Sequence, residues 1–309
     1  MKFVAIGRHE ILLRTIEMLV DAGHELAGVL TAAPAPEYRA DVDDFRSLAA
    51  RKGVPCHVSN RYGPEMVAAL AGLGAEIAVS YNFPTVIGHA AIDSFPRGIL
   101  NAHGGDLPRY RGNACQAWAL IQGEPAIGLC VHYMVADELD SGDVIAKAML
   151  DVDHHTTIGT VAQWMEQATP PLFVAALERL RHDPSYVLYR QCDDGRPALR
   201  CYPRQPSDGR IDWTKPAIDV VRHINASGHP YAGAFFYFES NAYRVDEAQW
   251  IDGGAYLAVP GQVAGRNPDG SVDVACGGGG LCRLARIADS AGHWDQPVNH
   301  IKSMRARLA

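Results

Sequence analysis

The first half of the chain alternates short apolar runs with segments of helical periodicity. The run KFVAIG ends at Gly7 and is followed by HEILLRTIEMLVDAG, in which apolar residues recur at helical spacing until Gly23. The runs LAGVLT, VPCHVS and AEIAVSY are separated in the same way by the helical segments DDFRSLAARKG and GPEMVAALAGLG. This alternation is typical of a mostly parallel sheet covered by helices, so the first half is predicted to be α/β.

Two further helical segments, TTIGTVAQWMEQA and PLFVAALERLR, are predicted in the middle of the chain. Pro170 and Pro171 separate them and are expected to break or kink the helix, because proline lacks a backbone N–H. Thr156 or Thr157 is in position to cap the first segment.

From about Tyr202 the texture of the sequence changes. The turn-rich PRQPSDGRIDW precedes the helical PAIDVVRHINA, and GAFFYFESNAYRV and the glycine-punctuated runs after it are typical of short strands. The segment CGGGGLCRLARI is flanked by strand-like runs and is not followed by a helix, which predicts a hairpin loop rather than a phosphate site. A second, mostly β domain is therefore predicted.

Charge and apolar patterning narrow the class of protein. The chain has 28 Lys and Arg against 35 Asp and Glu, a net charge of -7, which argues against a surface built for nucleic acid. Arg8, His9 and Glu10 interrupt the apolar N-terminal stretch before it reaches signal-peptide length, and no apolar run is long enough to span a membrane. A cytoplasmic protein with no membrane partner is expected.

Metal and dinucleotide sites are not expected. The 7 cysteines are scattered without a C-x-x-C pair, which favours reduced thiols over disulfides or zinc. His154 and His155 are interpreted as part of an exposed loop, since adjacent residues seldom reach one ion and no companion ligand cluster is evident. The turn GRHEI after the first strand lacks the glycine pattern that a dinucleotide pyrophosphate needs.

The segment NAHGGDLPRYRG places an amide and an imidazole two residues apart at the end of the predicted strand GILNAH. Residues at i and i+2 of a strand face the same side, so Asn101 and His103 are expected to project together. The carboxyl ends of strands are where open α/β sheets bind ligands. Two interpretations stay open on these residues alone: a catalytic pair, or a turn-closing asparagine beside a hydrogen-bonded core histidine.

Three motifs taken together carry a resemblance to a known family. NAHGG, LPRYRG and DELDSGDVI resemble those of the 10-formyltetrahydrofolate-dependent formyltransferases, and QPSDGRIDWTKPAIDVVRHINASGHPYAGAF resembles the start of the small open β-barrel that follows the catalytic domain in the tRNA and sugar enzymes. The resemblance implies a Rossmann-like catalytic domain over residues 1–195 and an OB-like β domain over residues 202–309. It also implies N10-formyltetrahydrofolate as the cosubstrate and no metal.

The family resemblance assigns the catalytic roles to Asn101, His103 and Asp140. Formyl transfer from nitrogen to an amine passes through a tetrahedral intermediate, which needs a donor for the developing oxyanion and a group that handles the amine proton. His103 is predicted to be the principal proton acceptor, Asn101 the donor to the oxyanion, and Asp140 the carboxylate that orients or charges the imidazole and helps protonate the departing folate nitrogen.

The same resemblance indicates where the two substrates bind. The folate contacts are predicted in SYNFPTVI and in the acidic loop, at Asn82, Phe83, Pro84, Val86, Ile87, Glu138 and Leu139. Acceptor contacts are predicted on the rim formed by GGDLPRYRGNACQAWA, where amide donors suit sugar hydroxyls and arginines suit a diphosphate. These acceptor residues are Gly105, Arg109, Arg111, Asn113 and Gln116, with Trp118 as an aromatic surface.

The family resemblance also indicates the acceptor, because the branches of the family differ in their sequence elements. This chain has the IDW and PYAGAF elements, which the glycinamide ribonucleotide enzymes of the family lack. Its loop TAAPAPEYRADVDD is acidic, whereas the tRNA enzymes of the family have a basic loop at this place. The expected acceptor is a nucleotide-linked 4-amino-4,6-dideoxy sugar, with GDP-perosamine as first choice, in the branch that serves O-antigen synthesis. Methionyl-tRNA and hydroxyornithine are the alternative acceptors, and a folate-binding relative without enzymatic activity is the alternative that the intact triad disfavours. A homodimer is the assembly to be tested.

Overall fold

The computed structural model describes residues 1–252 and 257–309. Within these ranges the chain forms two compact units, and each unit is built from three segments of the sequence. The first unit comprises Met1–Gly112, Gly128–Met149 and Trp164–Arg200. The second comprises Asn113–Ile127, Leu150–Gln163 and Cys201–Ala309. That residues 1–195 act as a catalytic domain and 202–309 as a separate β domain stays a prediction.

The helices and strands are numbered in chain order. The helices are α1 Glu10–Asp21, α2 Val42–Lys52, α3 Pro64–Ala71, α4 His89–Ile92, α5 Cys115–Gln122, α6 Ile158–His182, α7 Ala217–Asn225 and α8 Pro297–His300, with short 3-10 helices at Gln191–Asp193 and Pro206–Gly209. The first nine strands are β1 Lys2–Gly7, β2 Glu25–Thr31, β3 Cys56–Val58, β4 Ile77–Tyr81, β5 Ile99–His103, β6 Tyr110–Gly112, β7 Ala126–Tyr133, β8 Val144–Asp151 and β9 Leu199–Cys201. The later strands are β10 Ala234–Phe238, β11 Asn241–Val245, β12 Gln249–Ile251, β13 Val263–Arg266, β14 Val272–Ala275, β15 Leu281–Leu284, β16 Ile287–Ala288 and β17 Trp294–Asp295.

A seven-stranded sheet in the order β3-β2-β1-β4-β5-β7-β8 organises the first half of the chain. The neighbours from β3 to β5 pair in parallel, and β5 pairs antiparallel with β7. Phe3, Ile6 and Ile77 on β1 and β4 are fully buried, as expected for strands covered on both faces. The α/β prediction is therefore confirmed.

Helix α6 differs from the prediction of two separated segments. It runs unbroken through Pro170 and Pro171, so the predicted break is wrong. The hydroxyl of Thr169 donates to the carbonyl of Met165 at 2.7 Å, one turn earlier in the same helix. Apolar residues of the last turns, including Phe173, pack into the core and stabilise the helix beyond the prolines. The predicted cap at Thr157 is confirmed, because its hydroxyl accepts from the amide of Thr160 at 3.2 Å.

Antiparallel strands dominate the second unit. They form two four-stranded sheets, ordered β10-β11-β16-β17 and β12-β15-β14-β13, around a core that includes Trp213, Phe236 and Val274. The glycine run lies in the turn between β14 and β15, which pair antiparallel, so the predicted hairpin loop is confirmed. The later domain is mostly β, as predicted.

Two further observations concern the cysteines and the length of the apolar helices. All seven cysteines lie in the described part of the chain and are free thiols. Among residues 1–252 and 257–309, no helix is long and apolar enough to cross a bilayer.

Candidate active site

Strands β5 and β7 bring three polar side chains to one place. Asn101 and His103 lie two residues apart on β5, and the antiparallel register sets Asn101 directly opposite His132 on β7. His103 is 8% exposed and His132 only 1%, so both imidazoles are removed from bulk water. Directly opposed residues of an antiparallel pair share a face, which is why His132 joins the pair that the sequence indicated. Sequence reasoning missed His132, because only the strand register shows which residue it faces.

Asp140 reaches this group from the loop between β7 and β8. Its Oδ2 lies 3.5 Å from Nδ1 of His103, and its Oδ1 lies 3.5 Å from Nε2 of His132. The backbone N–H of Gly112 donates to Oδ2 at 2.9 Å. The three residues predicted as catalytic therefore lie together, with one carboxylate between two imidazoles.

The backbone at Asp140 is held in a left-handed conformation, with φ of 49°. Such a conformation is costly for a residue other than glycine and persists where neighbouring contacts hold it. The side-chain amide of Gln191 supplies these contacts, because its Nε2 donates to the backbone carbonyls of Asp140 at 2.8 Å and of Gly142 at 2.7 Å. Gln191 lies far along the chain in a 3-10 helix, so no local sequence signal identifies it.

His103 is oriented from its other side. Its Nε2 donates to the backbone carbonyl of Tyr110 at 2.8 Å, which leaves Nδ1 facing Asp140. Gly105 makes this contact sterically accessible, because a Cβ at that position would lie 2.5 Å from Nε2 of His103. The structure thus places Gly105, one of the predicted acceptor contacts, against the histidine ring.

Burial and neighbouring charge shape the ionisation of the pair. Burial would raise the pKa of the Asp140 carboxyl, but the two imidazoles and the Gly112 N–H lower that pKa well below its usual value. Burial also lowers the pKa of His103, and this effect exceeds the opposing influence of Asp140. At neutral pH the arrangement therefore holds an ionised carboxylate next to an imidazole able to take a proton at Nδ1.

The residues predicted to hold folate lie in two segments of the first unit. In the segment after β4, Asn82 adopts a positive φ of 53°, Phe83 packs its ring 6.4 Å from that of Tyr62, and Ile87 is buried. Val86 is 79% exposed and Leu139 in the acidic loop is 42% exposed, which leaves apolar surface on both segments. His89 and Asp137, 3.1 Å apart, join the two segments. Pro84 and Glu138 belong to the same two segments.

The residues predicted to contact the acceptor are divided between the units. Arg109 and Arg111 lie in the first unit; the guanidinium of Arg109 is 5.4 Å from the ring of Tyr110, and Arg111 donates to Oε1 of Gln191 from Nε at 3.1 Å and from Nη2 at 2.8 Å. Asn113 and Gln116 lie in the second unit, Asn113 exposed and Gln116 half-buried on α5.

The arrangement around β5 has the parts that acyl transfer to an amine requires. Asn101 offers amide N–H groups, His103 offers a lone pair at Nδ1, and Asp140 supplies a negative charge to compensate a protonated ring. Within the described ranges no group of three or more His, Cys, Asp or Glu side chains is arranged to hold a metal ion.

Comparison with solved structures shows the same fold in proteins of low sequence identity. An N-formyltransferase from Helicobacter canadensis, solved with folinic acid and dTDP-3-aminofucose, is 12% identical, with a TM-score of 0.69 over 92% of this chain and 98% of that one. A sugar N-formyltransferase from a Shewanella species is 15% identical, with a TM-score of 0.60 over 84% of this chain and 97% of that one.

A variant of HypX from Aquifex aeolicus is 15% identical and has a TM-score of 0.63 over 98% of this chain, which spans about half of that protein, 49% of its length. Family models give a more direct assignment. Residues 1–177, more than half of the chain, match the formyl transferase model, and residues 204–303 match the model of the formyl transferase C-terminal domain. The fold, the strand-end site and the two matched models lead to one conclusion: the chain belongs to the formyl transferase family.

Proposed function

We propose that this protein transfers a formyl group from N10-formyltetrahydrofolate to the amino group of a nucleotide-linked amino sugar. The observation that carries the proposal is the meeting of Asn101, His103 and Asp140 at the end of β5 in a chain of the formyl transferase family. The Helicobacter canadensis protein, which shares the fold, was solved with a folate and a nucleotide-linked amino sugar. That pairing of ligands supports the same two substrate classes here.

The residues of the first unit fit the donor. The rings of a folate have polar edges but broad faces that pack against apolar side chains, and Val86 and Leu139 leave apolar side chains exposed on the two segments joined by His89 and Asp137. Burial of these side chains by a ring would remove apolar area from water and stabilise the complex. In the proposal Asn82, Phe83, Pro84, Ile87 and Glu138 complete this site.

The chemistry follows from the positions of three side chains. The acceptor amine attacks the formyl carbon, and negative charge develops on the formyl oxygen, where an N–H of Asn101 stabilises it. His103 is buried and neutral, with Nε2–H held by the carbonyl of Tyr110, so the amine proton is accepted at Nδ1. Asp140, 3.5 Å away, compensates the resulting positive charge. When the bond between the formyl carbon and N10 breaks, the proton held by the His103–Asp140 pair passes to the departing folate nitrogen.

The loop after β2 argues against a tRNA acceptor. Its one arginine, Arg39, is bound by two carboxylates, with Nη2 2.7 Å from Glu166 and Nε 3.1 Å from Glu10. Asp41 and Asp44 cap the start of α2 and add negative charge at the surface. A loop with this charge repels phosphates, whereas tight tRNA binding depends on neutralising several of them.

A nucleotide sugar needs fewer, more directed contacts. Arginine forks suit a diphosphate, and Arg111 has guanidinium N–H groups beyond the two that Gln191 accepts. In the proposal Arg109 and Arg111 of the first unit contact the acceptor, with GDP-perosamine as the first sugar to test. The acceptor contacts at Asn113 and Gln116 stay predictions. The dTDP-3-aminosugar of the Helicobacter canadensis structure is the natural competitor.

A panel of acceptors tests the proposal. The protein is incubated with N10-formyltetrahydrofolate and, separately, GDP-perosamine, dTDP-linked 3-amino and 4-amino sugars, N5-hydroxyornithine and methionyl-tRNA, and release of tetrahydrofolate is followed. Turnover is expected with a nucleotide-linked amino sugar and little salt-dependent binding is expected with tRNA. Formylation of methionyl-tRNA or hydroxyornithine alone would overturn the acceptor class, and no turnover with any acceptor would overturn formyl transfer itself.

A further inference from the structure

We propose that His132 is a positioning residue that fixes the side-chain amide of Asn101, so that an N–H rather than the carbonyl oxygen is presented to the transferred formyl group. This rests on the formyl transfer proposed above and adds a fourth side chain to its machinery. The observation behind it is the cross-strand pair of Asn101 on β5 and His132 on β7.

The backbone contact of His132 determines its tautomer. Nδ1 lies 2.8 Å from the carbonyl oxygen of Tyr133. A carbonyl oxygen only accepts, so Nδ1 carries the proton, and in the neutral ring Nε2 is left with a lone pair. Because the ring is only 1% exposed, bulk water does not reach that lone pair, and a protein group has to satisfy it.

Asn101 is the group that satisfies it. Nδ2 of Asn101 lies 3.4 Å from Nε2 of His132, whereas the other neighbour at 3.5 Å is Oδ1 of Asp140. The ionised carboxylate of Asp140 has no proton to donate, so the amide N–H of Asn101 is the available donor. An amide turned by half a rotation would place its oxygen against the lone pair, which is repulsive.

Because the side-chain amide is planar, a hydrogen bond from one of its N–H groups fixes the orientation of the whole group. The second N–H and the carbonyl oxygen of Asn101 then have set directions, without any reorganisation when the oxyanion forms. A donor aimed in advance is worth more to a transition state than one that must rotate, and small misplacements in an active site cost up to about 10²-fold in rate. His132 therefore acts on the reaction through Asn101 and need not touch either substrate.

Kinetics of matched variants test this coupling. His132→Phe keeps a buried ring without the acceptor and is expected to lower kcat about 10- to 100-fold, with little change in either KM. His132→Gln keeps an acceptor oxygen and is expected to restore most of kcat. In the Asn101→Ala background, His132→Phe should cost nothing further. His24→Phe replaces another buried histidine of the same unit, which contacts the N-terminal amine and Glu178, and should leave kcat unchanged.

A spectroscopic measurement separates this proposal from the proposed function, because it needs no turnover. ¹⁵N shifts of His132 in the wild-type protein near neutral pH are expected to show a protonated Nδ1 and an unprotonated Nε2. One side-chain amide proton of Asn101 is expected to have the shift of a hydrogen-bonded proton in the wild type and in His132→Gln, and to lose it in His132→Phe. Protonation of both ring nitrogens, or of Nε2 alone, would overturn the proposal. So would full additivity of Asn101→Ala and His132→Phe, or a His132→Gln variant as slow as His132→Phe.

Discussion

Two cross-strand pairs, one in each unit, use polar side chains in opposite ways. On β14 and β15 of the second unit, Asp273 faces Arg283, and the guanidinium donates to both carboxylate oxygens, at 2.7 and 2.9 Å. On β5 and β7 of the first unit, Asn101 faces His132 at 3.4 Å, and Asp140 stands 3.5 Å from each imidazole. The first pair is close and bidentate, whereas the second is long and loosely shared.

The difference shows what separates a structural pair from a reactive one. In the Asp273–Arg283 pair each charge is matched by two short hydrogen bonds, so proton exchange would only cost stability. At the strand-end site the carboxylate of Asp140 is shared between two rings and a backbone N–H, and neither of its 3.5 Å contacts to an imidazole is short enough to lock a proton between carboxylate and ring. Long contacts of this kind leave room for a proton to move when the acceptor binds.

The largest expected effect is on turnover at the loosely paired site. His103→Ala and Asp140→Ala should each reduce kcat by about 10²- to 10⁴-fold, because each removes a group that handles the proton. Binding of 5-formyltetrahydrofolate, measured by calorimetry, should stay close to that of the wild type. Wild-type kcat in either purified, folded variant would remove that residue from the mechanism.

The second-largest expected effect is the loss of turnover on substitution of Asn101. Asn101→Ala removes the proposed donor to the oxyanion and is expected to lower kcat by about 10²- to 10³-fold. Asn101→Asp is the matched control for shape, since it keeps the size of the side chain but has no N–H, and it should be at least as slow. If Asn101 only supports the fold, both variants would instead unfold at lower urea concentration while kcat per folded molecule stays unchanged.

Substitution in the Asp273–Arg283 pair should change the stability of the protein and leave turnover unchanged. Asp273→Asn leaves Arg283 without its carboxylate and should lower the free energy of unfolding by about 1–3 kcal/mol, measured by urea denaturation. Its kcat should equal that of the wild type. Glu247→Gln, at an exposed carboxylate of the same unit, is the control for charge alone. A loss of turnover in Asp273→Asn that matches Asp140→Ala would erase the distinction between the two pairs.

The smallest effect expected is a shift in ionisation. Burial lowers the pKa of His103, so kcat/KM should be flat above the usual imidazole value of about 6.5 and fall through a lower pH as the ring becomes protonated. Asp140 raises the pKa of His103, so Asp140→Asn should move it lower still, as measured by NMR titration of the ring. An unchanged or higher pKa in that variant would contradict the assigned contact.

The lowered pKa values of His103 and Asp140 also determine how the free energy of unfolding depends on pH. The folded-state pKa of both Asp140 and His103 lies below the ordinary value, so the unfolded chain binds more protons as pH falls. The stability that these groups contribute is therefore present near neutral pH and lost on acidification. For His103 the loss begins around its ordinary pKa of about 6.5 and for Asp140 around its ordinary value of about 3.9.

Helix α6 shows where a local rule failed. Proline removes a hydrogen bond, and from the sequence two prolines in succession predict an interruption. The helix nevertheless continues, because the apolar residues after the prolines, Phe173 and Leu177 among them, are buried in the core. The prolines do remove helix hydrogen bonds, but burial of the apolar residues that follow them outweighs this local cost.

The sequence by itself determined the features that depend on neighbours along the chain. Alternating apolar runs and helical periods indicated the α/β half, turn residues indicated the β domain, and the spacing of Asn101 and His103 put both on one face of a strand. The acidic character of the loop after β2 is likewise a property of composition.

Only the tertiary structure decided the contacts that join distant segments. His132 faces Asn101 because of the register between β5 and β7, and Gln191 holds the Asp140 loop from a 3-10 helix about fifty residues later in the chain. Strand register and loop closure arise from packing over the whole unit, and a shift of one residue would turn His132 to the other face. No local pattern encodes that choice, which is why the residue types were readable from the sequence and their partners were not.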